Sequence, residues 1–218
     1  MATTYLQLVN DVLTRLREST VTSVDQNTYS ALIGKLVNDA KREVEDAWNW
    51  DSLRTTYSTN TVSGTYNYTL TNAGTRFRVL SANNDTSDWF LEYRPAEYFT
   101  ENLILVDTPE TGSPLYYNFN GVDANGDSQV DVYPKPNGVY ALRLDVVKPE
   151  AELDDDTDTT ALPKSPIVLL AWAKAIEERG EDGGINVSSQ YAVAQRSLGD
   201  HIAIEAGRRP DETNWYWA

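Results

Sequence analysis

The chain has 218 residues, none of them cysteine, and carries 18 Lys and Arg against 33 Asp and Glu, a net charge of −15. The lack of cysteine excludes disulfides, thiolate zinc sites, thiol nucleophiles and iron–sulfur clusters. So negative a surface lacks the counterion release that drives nonspecific binding to phosphate backbones. We therefore expect a protein with a sizeable core that DNA can pass without being held.

The N-terminal sequence carries no signal for export or membrane insertion. The stretch MATTYLQLVNDVLTRLR has no basic segment followed by an apolar one, and no run in the chain approaches about 18 apolar residues. We therefore expect a chain that is neither secreted by that route nor membrane-spanning.

Amphipathic helical spacing begins near the N-terminus. Apolar residues recur with a period near 3.6, and Thr4 with Gln7 fits a capping box, so we predict a first helix over about residues 5–17. A longer apolar stripe over residues 29–48 predicts a second amphipathic helix. Since Trp48 and Trp50 end this stripe, we expect their rings to pack in the core.

The apolar period changes to two after Trp50, which predicts strands. The runs YNYTL, FRVL, WFLEY and LILV are separated by polar breaks rich in Gly, Asn and Asp. Between the last two runs, RPAEYFTEN predicts one short helical turn. This part of the chain is therefore β-rich.

Turn signals punctuate the following segment. The dipeptides Asn120-Gly121, Asn125-Gly126 and Asn137-Gly138 separate three strand-like runs, and Asn-Gly supplies the positive φ angles of tight hairpins. Two prolines place residues 133–138 in a connection. An antiparallel meander is the simplest arrangement of these runs.

Helical spacing returns after an acidic segment. KPEAELDDDTDTTALPKSP predicts a solvated linker, and helical patterns follow over residues 167–175 and 191–205, separated by GEDGG. The predicted fold class is α+β, a helical bundle formed by the N- and C-terminal helices with an inserted antiparallel β-rich region. The predicted boundaries are residues 1–50 and 162–218 for the helical domain and residues 51–161 for the insertion.

Four residues with side-chain oxygens imitate the alternating positions of a calcium loop: Asp123, Asn125, Asp127 and Asp131. Ser128 stands where such a loop needs glycine, and Pro134 where it needs a bidentate glutamate. We therefore favour a hairpin turn over a calcium site at this position.

The other candidates for chemistry are isolated. His201 and Glu205 are one helical turn apart, but two ligands do not make a metal site and the chain has no other His or Cys to complete it. Catalysis by paired carboxylates stays open, with Glu92, Glu97 and Glu101 as candidates. The DDDTD run at residues 154–158 predicts a solvated loop. We therefore predict no enzyme, with no catalytic, cofactor-binding or metal-binding residues.

The chain ends in an aromatic tail that contains Trp215, Tyr216 and Trp217. Such side chains bury large areas with few rotatable bonds, and a tail that orders on assembly can wrap a partner. A tail can also fold back over its own helices. The sequence alone leaves these two alternatives open.

Three segments, in the same order along the chain, resemble the head-to-tail adaptor, or connector, proteins of short-tailed (podovirus-type) bacteriophages. The first is a helix ending in Trp48-Asn49-Trp50 before a strand, a turn with Gly64 and a Tyr-containing strand. The second is YPKPNGVYALRL, and the third is Leu162-Pro163 before an alanine-rich helix. Together they span most of the chain.

The resemblance implies a structural virion protein of the phage neck or tail, assembled in the host cytoplasm. Such adaptors form a ring, commonly of twelve copies, that docks on the portal protein and leaves a channel through which DNA passes without specific binding. The resemblance implies that the helical domain forms the ring and meets the portal. It implies that the β-rich insertion faces the tail nozzle or another tail component. It also implies no cofactor and no membrane, and makes Trp215, Tyr216 and Trp217 candidate interface residues.

Two other functions stay open. A carbohydrate-binding tail module would stack exposed aromatic rings on sugars, although helices at both ends of the β region argue against it. A peptidoglycan-cleaving virion enzyme would require a carboxylate pair whose loss abolishes activity without disturbing assembly.

Overall fold

The computed structural model describes residues 3–180 and 185–208, without the side chains of residues 185 and 186. The described residues form a mixed α+β structure. Their five α-helices are α1 (Tyr5–Arg15), α2 (Thr28–Ala47), α3 (Ala96–Phe99), α4 (Lys164–Arg179) and α5 (Ile185–Ala206). Their strands are β1 (Thr3–Thr4), β2 (Arg54–Asn60), β3 (Asn67–Thr69), β4 (Arg78–Asn84), β5 (Trp89–Phe90), β6 (Glu92–Tyr93), β7 (Thr111–Gly112), β8 (Tyr116–Val122), β9 (Ser128–Tyr133), β10 (Lys135–Pro136), β11 (Ala141–Val147) and β12 (Thr159–Thr160).

The chain divides into two compact units. Residues 1–53 with 149–218 form the helical unit, and residues 54–148 form the β unit. Short 3-10 turns at Val24–Gln26 and Asp51–Leu53 belong to the helical unit, and a π-helical turn at Thr100–Ile104 follows α3 in the β unit.

Side-chain caps set where the first two helices begin. The Thr4 hydroxyl accepts a hydrogen bond from the Gln7 backbone N–H at 3.3 Å, while the Gln7 side chain accepts from the Thr4 N–H at 3.2 Å. This capping box confirms the predicted start of α1. Helix α2 begins one residue earlier than predicted because the Asn27 side chain accepts from the Ser30 N–H at 2.8 Å and caps it.

Apolar side chains of the helices form the core of the helical unit. Helix α1 contacts α2 and α4, α2 contacts α4, and α4 contacts α5. Trp50 is buried, and its indole N–H donates to the Val44 carbonyl at 2.7 Å, so core packing is confirmed for this residue. Trp48 is only half-buried. Full burial of each aliphatic side chain in this core stabilises the fold by roughly 1.5–3 kcal/mol.

The segment predicted as a solvated linker is instead held against the helical unit. The Asn38 side chain donates to the Leu153 carbonyl at 2.9 Å and accepts from the Leu153 N–H at 3.0 Å. Strand β12 pairs antiparallel with β1. Most of residues 151–159 are exposed, as predicted, but the segment is not a free linker. Charge alone did not show that Leu153 and Thr160 are buried and that Asp156 accepts a hydrogen bond from the Val24 N–H.

Two four-stranded sheets make up most of the β unit. Their strand orders are β2-β11-β4-β5 and β3-β9-β8-β6, and all pairs are antiparallel except β6 with β8. A single apolar cluster joins them, with Val130 and Val132 contributed by β9 and Leu142, Leu144 and Val146 by β11. These residues alternate along their strands, as a half-buried sheet requires.

The predicted meander is only half right. Strands β8 and β9 form the expected hairpin, with Gly126 at a φ of +84° in its turn. Strand β11, however, pairs with β2 and β4 in the other sheet. The prolines at 134 and 136 lack the N–H that a continuing ladder needs, so the chain leaves the sheet after Tyr133. Strand β10 then pairs with β7.

The run LILV was predicted to be a strand, and this prediction was wrong. Its first two residues end the π-helical turn, Leu103 is the only buried member, and the other three are exposed. The preceding short helix, which was predicted, continues as the π-helical turn into the first half of the run and ends at Ile104.

Candidate assembly surfaces

Two of the residues that imitate a calcium loop, Asp123 and Asp127, accept hydrogen bonds from backbone N–H groups. Asp123 Oδ1 accepts hydrogen bonds from the N–H groups of Asn125 and Asp127 at 2.8 and 2.9 Å. The Asp127 carboxylate accepts from the N–H groups of Gly74 and Asn72, which hold the pKa of Asp127 below its ordinary value. Residues 3–180 and 185–208 hold no group of three His, Asp or Glu suited to a metal ion. The hairpin turn therefore accounts for Asp123, Asn125 and Asp127, whereas Asp131 lies in strand β9.

His201 and Glu205 do not converge on a common site. The Nδ1 atom of His201 lies 2.7 Å from the Ser197 carbonyl oxygen. Glu205 accepts from the Asp51 N–H at 2.9 Å and lies 3.2 Å from an Arg208 nitrogen. Both side chains are thus engaged in fixing the helical unit.

The three glutamates considered for acid–base work are exposed. Glu92 lies 3.0 Å from Arg94, and Glu97 and Glu101 lie on the short helical segment. None of the three has the buried, apolar surroundings in which glycosidases keep their acid.

The acidic run at residues 154–158 forms a turn that caps itself. The Asp158 carboxylate accepts from the N–H groups of Asp154 and Asp155 at 2.8 and 3.0 Å. These hydrogen bonds lower the pKa of Asp158. The Asp158 carboxylate therefore stabilises the backbone of this turn.

One turn of the β unit presents three adjacent apolar side chains to solvent. Ile104 and Leu105 are 67% and 73% exposed, and Val106 is exposed as well. We call residues 104–106 the apolar turn. Adjacent exposed apolar side chains of this kind favour an interaction site. The sequence signal was the LILV run itself, which was assigned to a strand.

An aromatic cluster positions the apolar turn. Arg94 lies over the rings of Tyr116 and Tyr98, at 4.8 and 5.8 Å from their centroids. Tyr98 meets Tyr133 edge-on at 5.7 Å, and Phe99 is buried beside them. Such ring contacts add to the apolar burial. They fix α3 on strands β8 and β9, so the turn that follows α3 has a defined place.

The helical unit has a groove of about 400 Å³ between α1 and α4. Lys164 and Asp11 form an ion pair on its wall, and Arg15 lies over the Trp172 ring at 5.7 Å. Its charged groups are therefore already partnered. Trp215, Tyr216 and Trp217 lie outside the described residues, so their interface role stays a prediction.

Within residues 3–180 and 185–208, no helix combines the length and the apolar character needed to cross a bilayer.

Comparison with known proteins gives one match that covers nearly the whole chain. The family model described as SU10 adaptor protein matches residues 3–214, whereas no curated protein matches. This family is structural rather than catalytic, and as phage adaptors its members belong to the virion neck, where they associate with portal and tail components. The resemblance to head-to-tail adaptors is thereby confirmed. The chain belongs to the SU10 adaptor protein family of bacteriophages.

Proposed function

We propose that the chain is a head-to-tail adaptor that docks as a ring on the portal, joins the portal to the tail and leaves a channel for DNA. The observation that carries this proposal is the match to the adaptor family over residues 3–214. The ring has twelve copies in this proposal, and it assembles in the host cytoplasm before becoming part of the virion neck.

The helical part, proposed as a bundle over residues 1–50 and 162–218, forms the ring and meets the portal. The distribution of charge between the two units supports the proposal that the ring-forming helical unit lines the DNA channel. The helical unit holds 11 Lys and Arg against 22 Asp and Glu, whereas the β unit holds 7 against 11, so −11 of the net −15 lies on the helical unit. A negative lining repels phosphates and lets DNA slide without specific binding.

The β-rich insertion, proposed over residues 51–161, faces the tail nozzle or another tail component. Its exposed apolar turn supplies the surface that such a contact needs. Protein interfaces bury apolar side chains at their centre and keep charges at the rim. The turn fits that description, because Ile104, Leu105 and Val106 are followed directly by Asp107.

The aromatic tail anchors each copy. Trp215, Tyr216 and Trp217 fill a groove on an adjacent subunit or on the portal in this proposal. Trp and Tyr dominate the binding energy of many interfaces, which supports the assignment. Because docking can order such segments, a chain that is a monomer in solution is compatible with this proposal.

A carbohydrate-binding tail module is the second candidate, and one observation favours it. Phe90 and Tyr93 are 74% and 59% exposed on the short strands β5 and β6. Exposed rings of this kind can stack on sugars. The family match does not point to sugar binding, so we rank this function second.

The experiment mixes the purified chain with the portal protein of the same phage and images the complex by negative stain. Three forms are compared: the intact chain, a chain ending at Pro210, and a full-length chain with Trp215→Ala, Tyr216→Ala and Trp217→Ala. The adaptor proposal predicts a ring on the portal with the intact chain and weak decoration with both altered forms. Bare portals with the intact chain at every salt concentration would contradict it and leave sugar binding as the next function to test.

A further inference from the structure

A row of polar side chains crosses the outer face of one sheet in the β unit. Asp131 of β9 lies directly opposite Asn67 of β3 on one side and Asn118 of β8 on the other. The neighbouring residues Val130 and Val132 face the apolar core, so the alternation of the strand places Asp131 on the opposite face. The row is therefore directed away from the core between the sheets.

A small pocket lies between this row and the helical segment that follows α3. Its volume is about 90 Å³, and its polar wall includes Asn118 and Asp131, which are 4% and 5% exposed. Phe99, Leu103 and Ile104 form the apolar wall. A single water molecule needs a cavity of only about 10–15 Å³, and a drug-sized ligand needs roughly 300 Å³ or more. The pocket therefore has the size of a single extended side chain.

The charge in this pocket is not compensated. The Asp131 carboxylate accepts hydrogen bonds from the amide groups of Asn67 at 2.6 Å and Asn120 at 2.8 Å, both of which are neutral. Among the described residues, no cation pairs with Asp131, and the buried Asn118 side chain lines the same pocket. A buried carboxylate is costly without an opposite charge, and each of its oxygens can still accept a second hydrogen bond.

We propose that this pocket binds one lysine side chain of a partner polypeptide. The ammonium group donates to the Asp131 carboxylate and to the Asn118 amide oxygen. The methylene stem lies along Phe99, Leu103 and Ile104, because lysine buries its stem on apolar surface. Leu105 and Val106 then contact apolar residues beside that lysine.

Three features select this occupant over other cations. A calcium ion takes six to eight oxygen ligands, whereas Asp131 is the only carboxylate on the pocket wall. The apolar wall gives a bare metal ion nothing to bind. Lysine presents a compact charge with three donors on a flexible stem, which suits a narrow pocket better than the planar guanidinium of arginine. A partner with a basic, apolar segment also complements the net charge of −15.

The test is a titration of the isotope-labelled full-length chain, followed by nuclear magnetic resonance. The probe is the acetylated and amidated tripeptide Leu-Lys-Leu, and the matched control probe has norleucine in place of lysine. We expect saturable shifts of the Asn118 and Asn120 side-chain amides with a dissociation constant on the order of 1 mM. The norleucine peptide should leave these signals unchanged, because it carries the stem without the charge.

Two variants test whether the lysine peptide binds in this pocket. Asp131→Asn keeps the shape and one acceptor but removes the charge, so binding should weaken by at least about tenfold. Thr100→Trp fills the mouth from an exposed position and should abolish binding, whereas the matched control Thr108→Trp, exposed and outside the pocket wall, should not. Thermal unfolding of each variant checks the fold. If Asp131→Asn does not fold, Thr100→Trp decides the question.

The proposal is overturned by any of four results. These are no saturable shift up to about 10 mM lysine peptide, equal shifts with the norleucine peptide, unchanged binding by Thr100→Trp, or tighter binding of a third probe, the same tripeptide with arginine in place of lysine. Saturation of the same signals by Ca²⁺ alone would assign the pocket to a metal ion instead. Because portal and tail proteins take no part in this test, its outcome is independent of the proposed role in the neck.

Discussion

Lys41 and Glu45 form a buried ion pair in helix α2, with 2.6 Å between the ammonium nitrogen and a carboxylate oxygen and 3% exposure for each side chain. Lys41 also donates to the Ala151 carbonyl at 3.0 Å, and Glu45 accepts from the Glu150 N–H at 3.2 Å. The pair thus ties the acidic segment that precedes α4 to the C-terminal part of α2. Removing two charges from water is costly, so each charge depends on the other.

Replacing only one member of this pair should destabilise the protein strongly. Lys41→Met leaves the Glu45 carboxylate buried without its cation, and we expect the free energy of unfolding to fall by about 3–5 kcal/mol. Urea denaturation measures this loss. The double variant Lys41→Met with Glu45→Gln should lose less, because the glutamine still accepts from the Glu150 N–H. The partly exposed Glu150 carboxylate, 3.6 Å from Lys41, also loses its cation but keeps its hydrogen bonds from Thr160 and Ala161. A loss below about 1 kcal/mol in the single variant would show that the pair is dispensable.

Gly34→Ala should destabilise the protein although it improves helix propensity. An alanine in the middle of α2 would gain about 1 kcal/mol from propensity alone. Its Cβ, however, would overlap the Tyr5 hydroxyl oxygen and lie 2.8 Å from Val24 Cγ1. We therefore expect a net loss of about 1–3 kcal/mol in urea denaturation. The matched control is Gly199→Ala in α5, where nothing lies within 4 Å of an added Cβ, and it should be neutral or stabilising. Equal effects of the two changes would refute the steric argument.

The folded protein should lose stability in acid as the Asp127 carboxylate becomes protonated. Backbone N–H groups of Gly74 and Asn72 lower the pKa of Asp127 in the folded state. Its stabilising contribution is therefore complete above the unfolded-state pKa near 4 and is lost as pH falls through the lower folded-state pKa. Thermal unfolding between pH 7 and pH 2 should show a weaker acid dependence for Asp127→Asn than for the unchanged chain. Asp107→Asn, at an exposed position, is the control. Identical pH profiles for all three proteins would contradict this prediction.

The apolar turn should serve binding rather than folding. The double variant Ile104→Ser with Leu105→Ser replaces two exposed side chains, so we expect the thermal midpoint to change by no more than a few degrees. In the proposed neck, rings of this variant should still dock on the portal but should recruit the next tail component poorly. Co-sedimentation with that component measures recruitment, with the exposed Thr108→Ser as control. Normal recruitment would remove the apolar turn from the interface.

The parts of the fold that local signals encode were predictable. Thr4 with Gln7 marked the start of α1, and Asn125-Gly126 marked the β8–β9 turn. The capping box and the tight hairpin act within a few residues, so their sequence signals are sufficient.

The parts that depend on distant residues were missed. Asp131 was considered for a calcium loop because of its neighbours in sequence, but its partners Asn67 and Asn118 come from other strands and follow from the register. Leu153 likewise appeared to belong to a solvated loop until its contact with Asn38, over 100 residues away, was known. No local pattern encodes such pairs.

The central claim is that this chain builds a ring on the portal, and counting copies tests it most directly. Native mass spectrometry of the portal of the same phage, mixed with excess chain, measures how many copies are bound. The account predicts one discrete complex that contains the portal and twelve copies of the chain. A portal whose mass does not change, or a broad distribution of bound copies without a closed ring, would contradict it.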